Sequence, residues 1–193
     1  MRYLVLAAAL LVPVAAQAAT PTADWPCIQR LQPRLSLGQA WTGPTPPEGA
    51  AIPAETAALA ERLVQRRMTL DEAEAEIAAF AATTDAEGLA LLMQAVFHRI
   101  DTQRATIIQG ISRYGHAQVA LAEQVETRRR RMAELEAADP PDFDAIDAEE
   151  RALDIDIRVF TDRQHSLTYV CESPVILEQR LFALGRVIAA QLP

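Results

Sequence analysis

The chain has 193 residues, half of them hydrophobic but only 5% aromatic, with a formal net charge of -8. This is enough for one domain with a mainly aliphatic core. An acidic chain has no broad positive field, which argues against non-specific nucleic-acid binding. All 18 basic residues are arginine, so arginine alone marks no special site.

Residues 1–18 read as a Sec signal peptide: Arg2, an apolar stretch from Tyr3 to Ala16, and small residues at Ala16 and Ala18 around Gln17. The apolar run is shorter than the roughly 20 residues a membrane span requires. The expectation is an exported, periplasmic protein with no integral membrane segment after processing. In that oxidising compartment the two cysteines, Cys27 and Cys171, are expected to pair.

Residues 19–52 hold both tryptophans, Trp25 and Trp41, and many prolines. Proline removes backbone donors and fixes φ, so this part is predicted to be an extended strap and linker, pinned by Cys27.

The helical domain is predicted over 53–193. Short helices are expected over about 53–67 and 69–82, the second opened by a capping box in which Thr69 faces Glu72. Two long helices follow, about 85–138 and 143–191, separated by the turn Asp139-Pro140-Pro141-Asp142. Gly110, Gly115 and Pro174 are places where they could bend.

Heptads run through both long helices. Ile100, Ile107, Tyr114, Leu121, Arg128 and Leu135 recur every seven residues, alongside Ile111, Gln118, Val125 and Met132. In the second helix, Ile146, Leu153, Phe160, Leu167, Pro174, Leu181 and Ile188 form one series; Ile157, Gln164 and Cys171 are read as the other. Two stripes in both helices predict an antiparallel coiled-coil hairpin. Residues 89–97 and 175–188 are apolar nearly all round, so those ends should pack with the short helices. The fold class is therefore all-α: a small four-helix base, a projecting two-helix hairpin and an N-terminal strap.

Folding the hairpin about Asp139 sets residue x opposite about 278 minus x. Arg128 is then expected to face Glu150, and Tyr114 to face Gln164, with Gln118 a layer away. These polar layers would fix register. Arg129, Arg130 and Arg131 fall on the outside near the tip and, with Trp25 and Trp41, are the candidate partner-binding residues.

The sequence carries no spacing that matches a familiar catalytic or metal-binding motif. His98, His116 and His165 lie on outward heptad positions without ligand spacing, and Ser166 follows His165 in sequence, which on a helix does not face the two side chains toward each other. The acidic stretch after the turn lacks the glycine and terminal glutamate of a calcium loop. The expectation is a non-enzyme without cofactor that contacts protein partners of the cell envelope as a scaffold or accessory subunit. The alternative is a periplasmic chaperone for unfolded clients. The heptads are compatible with pairing within one chain or between copies, which keeps a homo-oligomer open.

Overall fold

The computed structural model describes residues 22–193, so the expected signal peptide lies outside the described residues. The described residues form an all-α fold with five helices: α1 Leu37–Ala40, α2 Ala54–Leu63, α3 Leu70–Ala81, α4 Ala86–Glu136 and α5 Phe143–Ala189. None of these helices is long and apolar enough to cross a membrane.

Local chemistry sets most helix starts. Thr69 and Glu72 form the reciprocal capping box at α3, with Glu72 N–H donating to Thr69 Oγ1 at 3.2 Å and Thr69 N–H to Glu72 Oε2 at 2.8 Å. These bonds from Thr69 hold the Glu72 carboxyl below its ordinary range. Asp85 caps α4 through Gly88 N–H at 2.9 Å, and Asp142 caps α5 through Ala145 N–H at 3.0 Å.

The first short helix ends at Leu63, earlier than the expected Arg67. A side chain from far along the sequence caps this end. Arg180 of α5 donates from Nε and Nη2 to the Leu63 carbonyl, at 3.0 and 2.6 Å, and from Nη1 to the Met68 carbonyl at 2.7 Å. The guanidinium thus satisfies the Leu63 carbonyl, which a further helical turn would have used, and ties the α2–α3 link to α5 through Met68. Burial of Arg180 lowers its pKa.

α4 and α5 are continuous through Gly110, Gly115 and Pro174. The Ser173 hydroxyl donates to the Tyr169 carbonyl at 3.3 Å, next to the helix turn where Pro174 supplies no N–H. The two ends remote from the turn pack with α2 and α3 into the base. There Leu63, Ile77, Leu92, Met93, Val96, Ile100, Leu181, Leu184 and Ile188 are fully buried. The apolar-all-round segments therefore have neighbours on more than one side.

The strap fills one groove of the hairpin and runs toward the base. Cys27 is bonded to Cys171, with Cα atoms 5.6 Å apart and a separation of 144 positions in sequence. A side chain at Gly115 would strike the Ala23 carbonyl, and one at Gly185 would strike the Ala40 carbonyl. Between these contacts Asp101 accepts from Leu35 N–H at 3.2 Å and from Arg34 Nη1 at 2.9 Å. Asp101, Ile108 and Gly115 are seven apart on α4, as Cys171 and Glu178 and then Gly185 are on α5. The strap therefore follows the flanking position on both helices, just beside the seam.

Candidate functional site on the hairpin arm

Between the base and the turn, α4 and α5 touch only through a narrow seam. On α4 its members are those the heptads predict: Ile111 and Val125 are buried, while Tyr114, Gln118, Leu121, Arg128, Met132 and Leu135 are half-buried. Arg104, one heptad before Ile111, continues the series, although no apolar side chain marks the position. Its side chain is 3% exposed and its guanidinium Nε lies 2.6 Å from Glu178 Oε1.

On α5 the second series is displaced by one residue from the expected Ile157, Gln164, Cys171. It runs through Glu149, Asp156, Val170, Leu177 and Leu184, while Arg163, at the position between Asp156 and Val170, is exposed and contributes only its carbonyl. Glu149, Leu177 and Leu184 are buried and Val170 packs beside the disulfide. Gln164 is exposed, and Cys171 turns toward the strap to meet Cys27. Charged residues occupy the true seam positions near the tip, and this hid the phase.

The polar layers follow from that shift. Arg128 does not meet Glu150, which is exposed. Its Nη1 donates to Glu149 Oε1 at 3.0 Å and its Nε to Asp156 Oδ2 at 2.5 Å, so one guanidinium bridges two carboxylates seven residues apart on α5. Gln124 Nε2 donates to the same Asp156 oxygen at 2.7 Å. The hydrogen bond from Arg128 holds the Asp156 carboxyl below its ordinary range; Asp156, then Glu149, raise the Arg128 pKa.

Tyr114 likewise does not meet Gln164. Its hydroxyl donates to the Arg163 carbonyl at 2.5 Å, and burial raises its pKa. Gln118 Nε2 donates to the Phe160 carbonyl at 3.3 Å, on the expected register. Side chains long enough to cross the seam thus find backbone carbonyls on the facing helix.

The other candidate residues separate into inner and outer groups. Trp25 and Trp41 are 8% and 6% exposed. Their indole N–H groups donate to the carbonyls of Gln29 at 2.5 Å and Pro44 at 2.7 Å. They are internal anchors of the strap and, contrary to expectation, present no surface to a partner. Arg129, Arg130 and Arg131 are exposed. Arg129 pairs with Glu126 at 2.5 Å, Arg130 reaches the Thr127 hydroxyl at 3.0 Å, and Arg131 lies 3.5 Å from Glu149. All three remain accessible to a partner. Phe143, across the turn at the start of α5, belongs to the same end of the hairpin and is 72% exposed.

No protein-family model, curated protein or solved structure matches the chain.

Proposed function

We propose that this protein is a non-catalytic interaction protein of the bacterial periplasm, an accessory or scaffold subunit that reaches a partner through the tip of its hairpin. One observation carries the reading: α4 and α5, of 51 and 47 residues, run unbroken side by side, while the two short helices attend only their base ends. A paired helix of that length extends about 75 Å, far more than a core of this size needs. The disulfide is compatible with an oxidising, exported compartment.

The tip supplies chemistry for a protein surface. Arg129, Arg130 and Arg131 offer exposed positive charge that steers association with an acidic patch, and Phe143 offers an apolar anchor at the same end of the hairpin. The test is photo-crosslinking in the native envelope from a probe at Phe143, with a second probe at Val119 on the shaft. The reading expects one defined protein adduct from the tip that is lost when Arg129, Arg130 and Arg131 are changed to Glu. Equal, diffuse labelling from both positions contradicts it.

A chaperone for unfolded clients is the second reading, supported by other exposed apolar residues, Ile28 at 79% and Tyr169 at 76%. It expects suppression of client aggregation by the purified chain, which a spacer lacks.

A further inference from the structure

We propose that the base carries a docking site of its own: a groove between the α2–α3 link and α5 that takes the apolar C-terminus of a protein partner, with the terminal carboxylate held by Arg66 and Arg180. The groove has a volume of about 390 Å³. Val64 and Leu70 line it from the link and the start of α3, and Ile176, Leu177 and Ala183 line it from α5. Leu70 and Ile176 are 44% and 42% exposed, so their apolar surface is open to a ligand. The site is remote from the hairpin turn and does not rest on the reading of the tip.

Charge selects the occupant. The charged residues lining the groove are both arginine and no carboxylate lines it, in a chain of net charge -8. The neighbouring groove, by contrast, sets Glu72 and Glu76 beside Arg62 and Arg67. Neither Arg66, which is exposed, nor the half-buried Arg180 has an ion-pair partner among the described residues. The Leu63 and Met68 carbonyls fix the Arg180 guanidinium through Nε and one N–H on each terminal nitrogen, which leaves the other N–H of each free to donate. Burial lowers the Arg180 pKa, so an anion brought beside it relieves a desolvated charge. A single carboxylate on an apolar body suits this combination, and the last residue of a protein chain supplies one. Gln179 on the rim favours a peptide over an acyl chain, because its amide can both donate to and accept from a peptide unit. From Ile176 to Ala183 α5 rises about 10 Å, the length of about three extended residues.

The test is fluorescence anisotropy of the disulfide-bonded chain with short peptides labelled at the N-terminus and ending in Leu, Val or Phe, each as the free acid and as the C-terminal amide. At least one free acid should bind with a dissociation constant of about 100 µM or tighter, and its amide about tenfold or more weakly. Arg66→Glu should weaken the free acid to the level of the amide. Leu70→Glu should abolish binding and keep α3, because an acidic residue suits the first turn of a helix. Circular dichroism and thermal unfolding check that both variants stay folded. Changing Arg129, Arg130 and Arg131 to Glu should leave peptide binding unchanged, so failure of this site and failure of the tip are distinguished. No binding by any free acid, equal binding of acid and amide, or undiminished binding by Leu70→Glu overturns the proposal. Octanoate binding as tightly as the peptides, and displacing them, assigns the groove to a fatty acid and equally overturns it.

Discussion

The base and the arm are built from the same two helices but held together by different means. In the base, Leu92, Val96, Leu181 and Leu184 lose all their exposure among side chains from four helices and the strap. In the arm each helix has only one partner, and most seam residues stay half-buried. The base therefore draws its stability from apolar burial and packing. The arm has less apolar area to bury and relies more on the strap, the disulfide and register-setting polar contacts. A projecting element can be held straight without a core of its own if such contacts recur along it.

The largest expected effect lies at the junction of the two regions. Replacing Cys27 and Cys171 by Ser should cost about 5 kcal/mol in the chain-entropy account of so long a loop, less any residual structure in the unfolded chain. Denaturant unfolding of the oxidised chain and the variant measures it. Next, Leu181→Ala in the base should cost about 3–5 kcal/mol, whereas Leu121→Ala in the seam should cost about 1–2, because its site is partly solvated already. Equal losses would erase the distinction between base and arm.

The strap contact gives a sharper test of sign. Gly110→Ala meets open space, with Arg113 Nη2 at 3.8 Å, and should stabilise α4 by about 0.5–1 kcal/mol. Gly115→Ala, five residues on, should instead destabilise by about 1–3 kcal/mol, because its methyl group meets the Ala23 carbonyl. Stabilisation by both changes would mean that the strap does not lie on Gly115.

In the arm, Glu149→Leu should cost about 1–2 kcal/mol by removing one of the two carboxylates on Arg128, and Glu150→Leu should lie within about 0.5 kcal/mol of wild type. The reverse order would restore the simple register. Asp156 adds a pH dependence. Its folded-state pKa is lowered, so its stabilising contribution is complete above the usual carboxylate range and is lost as pH falls through the lowered value. Acid unfolding of wild type and Asp156→Asn should therefore converge below that range and diverge toward neutral pH, where the wild type is the more stable.

How much of this was legible follows from which residues carry it. The hairpin, its turn and the α3 capping box were readable because each is a local pattern: heptads, Asp139 to Asp142, and Thr69 with Glu72. The cysteine pair needed only compartment and count. The α5 phase was misread because Ile157 and Cys171 are apolar and Glu149 and Asp156 are not. In a narrow seam, position outranks hydrophobicity when the opposite helix brings Arg128 and Gln124 to satisfy the charge. Trp25 and Trp41 are large apolar residues that suit either burial under the strap or contact with a partner, and their burial depends on a groove formed by residues far along the chain. Arg180 at the end of α2 had no local signal at all.

The projection of the arm is the claim on which the rest depends, and small-angle X-ray scattering of the disulfide-bonded chain, extrapolated to infinite dilution, tests it most directly. A compact chain of this length would have a radius of gyration of about 16 Å. The arm predicts a radius above about 20 Å and a maximum dimension near about 75 Å. A radius near the compact value, with a maximum dimension to match, would contradict it.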